Sequence, residues 1–349
     1  MPDCAAMTSL EERFVGCMLG GAVGDALGAP VEFSSREKII ARFGSDGITE
    51  LAEAYGRVGA ITDDTQMTMF TAEGMAPAVR RAMAKGIWGT EPAFVYHAYR
   101  NWLQTQGEPL PPVPIMHGLT LPVAGAYRSR LLELPELHAR RGPGATCLAA
   151  LKSGDYGTVK RPINDSKGCG GVMRIAPVGL FGRFEAGCEV AAITHGHPSG
   201  YLAAGFLTVV IGGLREGREL IDAIDLARSP LIACERHDEV LTAVERACDE
   251  ARGGASPEAV QRLGQGWVAE EALAIALYCA LVADDFASGV RLAVNHGGDS
   301  DSTGAITGNV LGALHGLAAI PERWLAQLEL RDEIERLALD LLASAQEDR

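Results

Sequence analysis

Two stretches of the chain place side-chain oxygens densely enough to bind divalent cations. Thr62-Asp63-Asp64-Thr65 stands at the start of a predicted helix, where Asp and Thr most often serve only as caps. The second stretch, residues 297–304, alternates Asp299 and Asp301 with serine and threonine hydroxyls. Capping one helix needs only one or two side chains. This excess of oxygen donors therefore indicates a site for a hard cation such as Mg²⁺ or Mn²⁺.

Two further carboxylates lie near the start of the chain. Asp25 falls inside a predicted helix that is otherwise small and apolar, so its charge needs polar partners or a metal ion. Glu32 follows the predicted end of that helix, where its side chain has room to swing over a pocket. Considered alone, Glu32 is typical of a solvated surface carboxylate.

A glycine-rich turn at residues 164–171 runs into an apolar helix that contains Arg174. Free N–H groups at such a helix start can bind an anion, although most glycine turns only reverse the chain. The formal net charge is −14, so a diphosphate ligand would need helix N-termini and metal ions to offset repulsion. We predict that Arg174 pairs with a buried carboxylate.

The histidines allow a metal interpretation that the sequence does not favour. His195 and His197 are two residues apart, but no Cys or third His follows at a zinc-ligand spacing. The pair is instead predicted to order a turn before a helix, with one imidazole supporting the acidic site. His296, which precedes the second acidic cluster, is expected to support it in the same way.

Helical periodicity must position these groups, because strand alternation is scarce along the chain. We predict an all-α protein with one domain over residues 1–349 and a Pro-rich loop at 107–122. Segments 20–28 and 304–312 both carry small residues at helical spacing, which predicts two closely packed core helices. The predicted helices span 11–28, 63–76, 92–103, 145–152, 171–182, 186–194, 199–214, 219–228, 231–252, 257–263, 269–283, 286–294, 302–318 and 331–345.

Composition narrows the class of protein. The 349 residues are 47% hydrophobic, enough for a sizeable core, and the acidic balance makes an exposed duplex-DNA surface a poor expectation. Eight cysteines at irregular spacing are typical of reduced thiols. No window supplies the ~20 apolar residues of a membrane span. We therefore predict a soluble, cytoplasmic protein that does not bind membranes, with nucleic acid left open only as a modified substrate.

Taken together, the motifs resemble the ADP-ribosylglycohydrolase family, which includes dinitrogenase reductase-activating glycohydrolases and ADP-ribosylarginine hydrolases. The resemblance spans residues 12–318 and implies a compact orthogonal helical bundle with two Mg²⁺ or Mn²⁺ ions in a cleft. Residues 104–160 carry no matching motif. The matching segments, in chain order, are 20–28, 62–65, 168–174, 194–198 and 298–302.

The resemblance also implies roles for individual residues. Ser302 stands where the family often has Thr and keeps the hydroxyl, while Glu32 corresponds to a glutamate that lies over the metals and moves when substrate enters. The implied metal ligands are Thr62, Asp63, Asp64, Asp299, Asp301 and Ser302. The implied ADP-ribose-binding residues are Ser166, Gly168, Cys169, Gly170, Gly171 and His197.

The implied reaction is hydrolysis of the bond between ADP-ribose and a modified protein side chain, with free ADP-ribose as product. Asp63 and Asp64 are alternative proton acceptors for the attacking water, and Glu32 is expected to assist as the gate. The run from Ser166 to Arg174 resembles arginine-type hydrolases, which favours ADP-ribosylarginine. Alternatives are a serine or nucleobase linkage, a non-catalytic ADP-ribose-binding protein and a phosphohydrolase of nucleotide diphosphates.

Overall fold

Helices dominate the computed structural model, which describes residues 8–112 and 129–346. The predicted all-α fold is confirmed, and one short antiparallel hairpin pairs Glu53–Ala54 with Arg57–Val58. Within the described ranges the sixteen α-helices are α1 (Leu10–Gly28), α2 (Arg36–Phe43), α3 (Asp63–Lys85), α4 (Glu91–Thr105), α5 (Ala145–Lys152), α6 (Ala176–Gly179), α7 (Phe184–Ala192), α8 (Pro198–Arg215), α9 (Leu220–Ile232), α10 (Asp238–Ala251), α11 (Pro257–Leu263), α12 (Ala269–Leu281), α13 (Phe286–Val294), α14 (Ser300–His315), α15 (Glu322–Leu325) and α16 (Arg331–Ser344). Short 3-10 helices span Arg130–Glu133, Pro135–Leu137, Cys169–Gly171 and Leu317–Ala319.

Three departures from the predicted helices have identifiable physical reasons. Helix α3 continues through Pro77 to Lys85, because its buried face extends past the proline. The predicted helix 171–182 is broken into a 3-10 turn and α6, since the glycines before it form the turn. Helix α2 was missed because only Ile39 of its eight residues is buried, which leaves little apolar periodicity.

The Pro-rich loop lies only partly within the described residues. Residues 107–112 lie outside any helix, and the guanidinium of Arg100 donates hydrogen bonds to the carbonyl oxygens of Pro111 (2.7 Å) and Pro112 (3.3 Å). Residues 113–122 of the predicted loop lie outside the described part of the chain. None of the described helices is both long and apolar enough to cross a membrane.

Backbone contact between α1 and α14 forms the centre of the fold. A Cβ atom added to Gly24 would lie 2.0 Å from the carbonyl oxygen of Gly304, and one added to Gly308 would lie 2.0 Å from that of Gly20. Only glycine allows so close an approach. The predicted close packing of these two segments is therefore confirmed. Because the helices run antiparallel, the end of α1 meets the start of α14.

Candidate active site

The two acidic clusters meet in one cleft of about 360 Å³. Segments far apart in the sequence line it: the turn after α1, the start of α3, the loop before α5, the glycine-rich turn and the start of α14. The carboxylates and hydroxyl on its wall that the sequence predicted are Glu32, Asp63, Asp64, Asp299, Asp301 and Ser302. The structure thus brings the two acidic clusters together, whereas Thr62 is buried at the start of α3 and does not line the cleft.

Asp25 holds the start of α3 in place. Its carboxylate accepts hydrogen bonds from the backbone N–H of Thr62 at 2.9 Å and from the Thr62 hydroxyl at 2.8 Å. It also accepts from the backbone N–H of Thr65 at 3.2 Å and from the Thr65 hydroxyl. Protein donors therefore provide the partners that this fully buried carboxylate needs, and they dock α3 against α1.

The first turn of α3 aims its two carboxylates into the cleft. Asp63 Oδ2 accepts a hydrogen bond from the backbone N–H of Gly144 at 3.2 Å, and the Asp63 N–H donates to the carbonyl of Arg141 at 3.0 Å. Asp64 Oδ1 is buried and has no hydrogen-bond partner within the described chain. A buried, unpaired carboxylate oxygen is costly, so this atom requires a cation or a proton.

The start of α14 supplies the opposite wall. Asp299 caps the helix, and Asp301 Oδ1 accepts the backbone N–H of Ser302 at 3.0 Å. Carboxylate oxygens of Glu32, Asp299 and Asp301 all lie within 4.8 Å of one another. His296 Nε2 is 2.9 Å from the Thr303 hydroxyl, beneath this turn. His296 is therefore a support for the second cluster rather than part of the cleft wall.

Crowding and burial change the protonation of these carboxyls. Burial, followed by the charge of Asp301, raises the pKa values of Asp63, Asp64 and Asp299 well above their usual range. Burial and Asp301 likewise raise the pKa of Glu32 to about 10. Since like charges packed together favour protonation, the ionised cluster requires compensating positive charge. The all-oxygen donor set and the unpaired Asp64 oxygen fit divalent ions such as Mg²⁺ or Mn²⁺.

The glycine-rich turn borders the acidic cluster. Gly168, Cys169 and Gly170 line the cleft, and the Cys169 thiol lies 2.8 Å from Asp299 Oδ2. The Cys169 N–H, one of the groups expected to be free for an anion, instead donates to the carbonyl of Trp267 at 3.1 Å. Ser166 and Gly171 do not line the cleft. The Ser166 hydroxyl lies 3.2 Å from the hydroxyl of Thr146, which is a lining residue.

The structure places the two neighbouring histidines differently relative to the cleft. His195 lines the cleft, and burial, with the nearby Arg174 charge, lowers its pKa to about 3. His197 caps α8 through Nδ1, which accepts the Ser199 N–H at 3.1 Å, and its other ring nitrogen lies 3.0 Å from Arg236. His197 is therefore not a lining residue of the described cleft, because capping turns its ring away.

Arg174 also differs from its prediction. Its side chain is fully buried and donates to the Thr194 hydroxyl at 2.7 Å, while its guanidinium lies 4.4 Å from the centre of the Tyr99 ring. Its other described partners are the sulfur atoms of Cys147 and Met67, so the prediction of a carboxylate partner is wrong. A thiol, a thioether, a hydroxyl and an aromatic face together accommodate this charge.

Sequence reasoning missed several residues around the cleft. Phe33 and Trp267 stack at its edge, and residues 142–147 line it from a region without a recognisable motif. Behind them, the buried Arg141 pairs with Glu329, whose Oε2 also accepts the Ile61 N–H at 3.1 Å. Neither runs of basic residues nor residue spacing could have predicted these contacts, because the partners are far apart in the sequence.

The cleft gathers buried carboxylates beside a glycine-rich turn, and these oxygen donors suit metal-assisted hydrolysis. The family model for ADP-ribosylglycohydrolase matches residues 6–349. The chain therefore belongs to the ADP-ribosylglycohydrolase family and is a hydrolase.

Similar proteins cover nearly the whole chain. An uncharacterised protein of Archaeoglobus fulgidus is 30% identical, covering 95% of this chain and 96% of its own. The ADP-ribosyl-[dinitrogen reductase] glycohydrolase of Rhodospirillum rubrum is 28% identical over 97% and 98% of the two chains. The ADP-ribosylarginine hydrolase Tri1 of Serratia proteamaculans is 25% identical over 99% and 84%. A solved ADP-ribosylglycohydrolase-related protein complex matches with a TM-score of 0.66 and 26% identity, covering 96% and 99%.

Proposed function

We propose that this hydrolase removes ADP-ribose from arginine side chains of modified proteins and depends on two Mg²⁺ or Mn²⁺ ions. The observation that carries the proposal is the convergence of Asp63, Asp64, Asp299 and Asp301 beside the glycine-rich turn, with one Asp64 oxygen unpaired. The relatives named ADP-ribosylarginine hydrolase support the arginine linkage, and the one named for dinitrogen reductase supports a modified protein as substrate.

The donor set divides between the two helix starts. Thr62, Asp63 and Asp64 would hold the ions from α3, and Asp299, Asp301 and Ser302 would hold them from α14. The Thr62 hydroxyl donates to Asp25 and accepts the Asp64 N–H at 3.3 Å, which leaves one lone pair of its oxygen for a cation. When bound, the ions would neutralise the carboxylates and supply Lewis acidity toward water and the ribose hydroxyls.

The remaining residues would bind and orient the substrate. Gly168, Cys169 and Gly170 would hold the diphosphate and distal ribose, and Ser166 and Gly171 would keep these three residues in place. His195, which the structure offers in place of His197, would contribute a neutral imidazole at the cleft wall. A neutral ring can donate one hydrogen bond to an anionic ligand without adding another titrating charge.

Cleavage at the anomeric carbon passes through a state with oxocarbenium character. Asp63 or Asp64 would accept the proton of the attacking water, and the guanidine group would leave with little acid assistance. Glu32 would act as the gate, because it stands on a turn at the edge of the cleft rather than inside a helix. Its movement would open the acidic cluster to substrate.

The test uses matched ADP-ribosylated peptides that differ only in the attached group. The full chain, with Mg²⁺ or Mn²⁺, should release free ADP-ribose fastest, by kcat/KM, from the arginine-linked peptide. Faster release from serine- or guanine-linked ADP-ribose would replace the arginine assignment. AMP as product would indicate diphosphate cleavage, and binding without any release would indicate a non-catalytic ADP-ribose-binding protein.

A further inference from the structure

A pair of stacked aromatic rings forms part of the cleft edge. The rings of Phe33 and Trp267 have centroids 5.2 Å apart and planes inclined by 18°. Both side chains line the cleft together with Glu32. Phe33 is 72% exposed and Trp267 37%, so the pair does not belong to the hydrophobic core. An exposed aromatic pair beside an acidic site is typical of a ligand-binding surface.

Trp267 is fixed to the frame of the glycine-rich turn. Its carbonyl accepts the Cys169 N–H at 3.1 Å. The next residue, Val268, forms an isolated antiparallel bridge with Gly168, and the Ala269 N–H donates to the carbonyl of Lys167 at 2.8 Å. The indole therefore has a defined position relative to the segment proposed to bind the diphosphate.

Phe33 stands on a different kind of backbone. It directly follows Glu32 in the turn after α1 and has a φ of 61°, a conformation that side chains other than glycine disfavour. Strained residues of this kind cluster at ligand-binding and switch regions. Since the two residues are adjacent, a movement of Glu32 out of the cleft would carry Phe33 with it.

We propose that the indole face of Trp267 binds the guanidinium of the arginine leaving group, and that Phe33 covers this face in the substrate-free chain. The inference deepens the proposed function and rests on it. A guanidinium is planar and cationic, so it can stack on the face of an indole ring. A serine linkage presents no planar cation to this surface.

The experiment compares the arginine-linked peptide with free ADP-ribose, which has the same diphosphate and riboses but no guanidinium. Trp267→Ala should raise KM for the arginine-linked peptide about tenfold, equivalent to about 1.4 kcal/mol, and change the Kd of ADP-ribose less than twofold. Phe33→Ala should have the opposite effect and lower that KM, because the indole face is then uncovered. Trp267→Phe, which keeps an aromatic face, should retain most of the affinity.

Matched variants separate stacking from apolar bulk and from folding. Trp267→Leu fills space without a π face and should behave as Trp267→Ala. Trp88→Ala removes another half-exposed tryptophan that stacks with Arg183 outside the cleft, and it should leave both constants unchanged. Circular dichroism checks folding, and if Trp267→Ala does not fold, Trp267→Leu and Trp267→Phe provide the comparison.

Two results would overturn the inference while leaving the proposed function intact. One is that Trp267→Ala and Trp267→Leu, which lack an aromatic ring, hydrolyse the arginine-linked peptide with the same KM as the wild-type chain. The other is an equal loss of affinity for ADP-ribose, which would assign the indole to ADP-ribose itself. If the wild-type chain does not hydrolyse the arginine-linked peptide, the proposed function and this inference both fail.

Discussion

Glu329 and Arg141 form a buried ion pair directly behind the acidic cleft. Arg141 Nη2 donates to Glu329 Oε1 at 3.2 Å, while the carbonyl of the same arginine accepts the N–H of Asp63 at 3.0 Å. Arg141 also donates to the carbonyl of Ile61 at 3.0 Å. These contacts connect the segment that leads into α3 with two other parts of the chain. One is the loop after the 3-10 helices at residues 130–137, and the other is the segment before α16.

We expect Glu329→Ala to destabilise the chain by about 3–5 kcal/mol, because it leaves the Arg141 charge buried without its partner. It should also weaken Mg²⁺ or Mn²⁺ binding, since Asp63 loses its support. Denaturant unfolding and metal titration measure the two effects. The matched control is Asp155→Ala, which removes an exposed ion pair with Arg161 and should change stability by less than about 1 kcal/mol. Wild-type metal affinity in Glu329→Ala would contradict this positioning role.

Asp63→Asn and Asp301→Asn should each lower kcat by at least about 100-fold, the scale on which loss of one stabilising group slows an enzyme. Both side chains are buried in the acidic cluster. Because Asn has nearly the same shape as Asp, each substitution removes the charge without changing the packing. Asp238→Asn changes an exposed carboxylate and serves as the control. The release of ADP-ribose measures the rate, and circular dichroism checks that each variant is folded. Full turnover after removal of metal with EDTA would disprove the metal role.

Metal-free protein should lose stability as the pH rises, because burial raises carboxyl pKa values in the folded chain. Burial and Asp301 raise the pKa of Asp25 from 3.8 to about 7, and that of Glu32 from 4.5 to about 10. Each carboxyl therefore contributes stability below its unfolded pKa that is lost as the pH rises through its folded pKa. Mg²⁺ or Mn²⁺ should raise Tm more at pH 8 than at pH 5, because ions bind the deprotonated groups.

The variant Glu32→Gln isolates one contribution to this pH dependence. Relative to wild type, metal-free Glu32→Gln should gain stability between pH 5 and pH 9, because the amide does not ionise. The comparison uses Tm in EDTA at each pH. A wild-type-to-variant difference in Tm that is independent of pH would show that the Glu32 carboxyl does not titrate against the acidic cluster.

Glu32→Ala tests whether this residue is a gate or a required ligand. Its turn is closed by the Glu32 N–H donating to the carbonyl of Gly28 at 3.1 Å, and it precedes the strained Phe33. We expect KM and product release to change several-fold while both ions remain bound. Metal content by elemental analysis and single-turnover kinetics separate the two effects. Loss of both ions would assign Glu32 to metal binding instead.

Gly24→Ala should destabilise the chain severely, by more than about 2 kcal/mol, because its Cβ would lie 2.0 Å from a backbone oxygen of α14. Thermal or denaturant unfolding measures the change. Gly297→Ala is the control, since its nearest neighbours would be at 3.6 Å, an ordinary contact distance. Equal stability of the two variants would mean that α1 and α14 separate without cost.

The sequence predicted the acidic clusters because each is local: neighbouring oxygen donors at a helix start are visible in four or five residues. The same applies to the glycine-rich turn. Trp267, Phe33 and the Arg141–Glu329 pair could not be predicted, because they acquire a role only through contacts across the fold. The position of His195 in the cleft wall could not be predicted, because side-chain direction in an irregular turn depends on which ring caps the following helix.

The glycine contact between α1 and α14 also sets the distance between the two halves of the acidic cluster. Where the backbones of two helices touch directly, side-chain volume does not alter their spacing. The distance from Asp25 to the Asp301 turn is therefore independent of how the outer helices are packed. Apolar substitutions elsewhere in the core can accumulate without spreading the two halves of the acidic cluster. Substitutions that change specificity without altering this spacing are therefore expected at the exposed rim, where Phe33 and Trp267 lie.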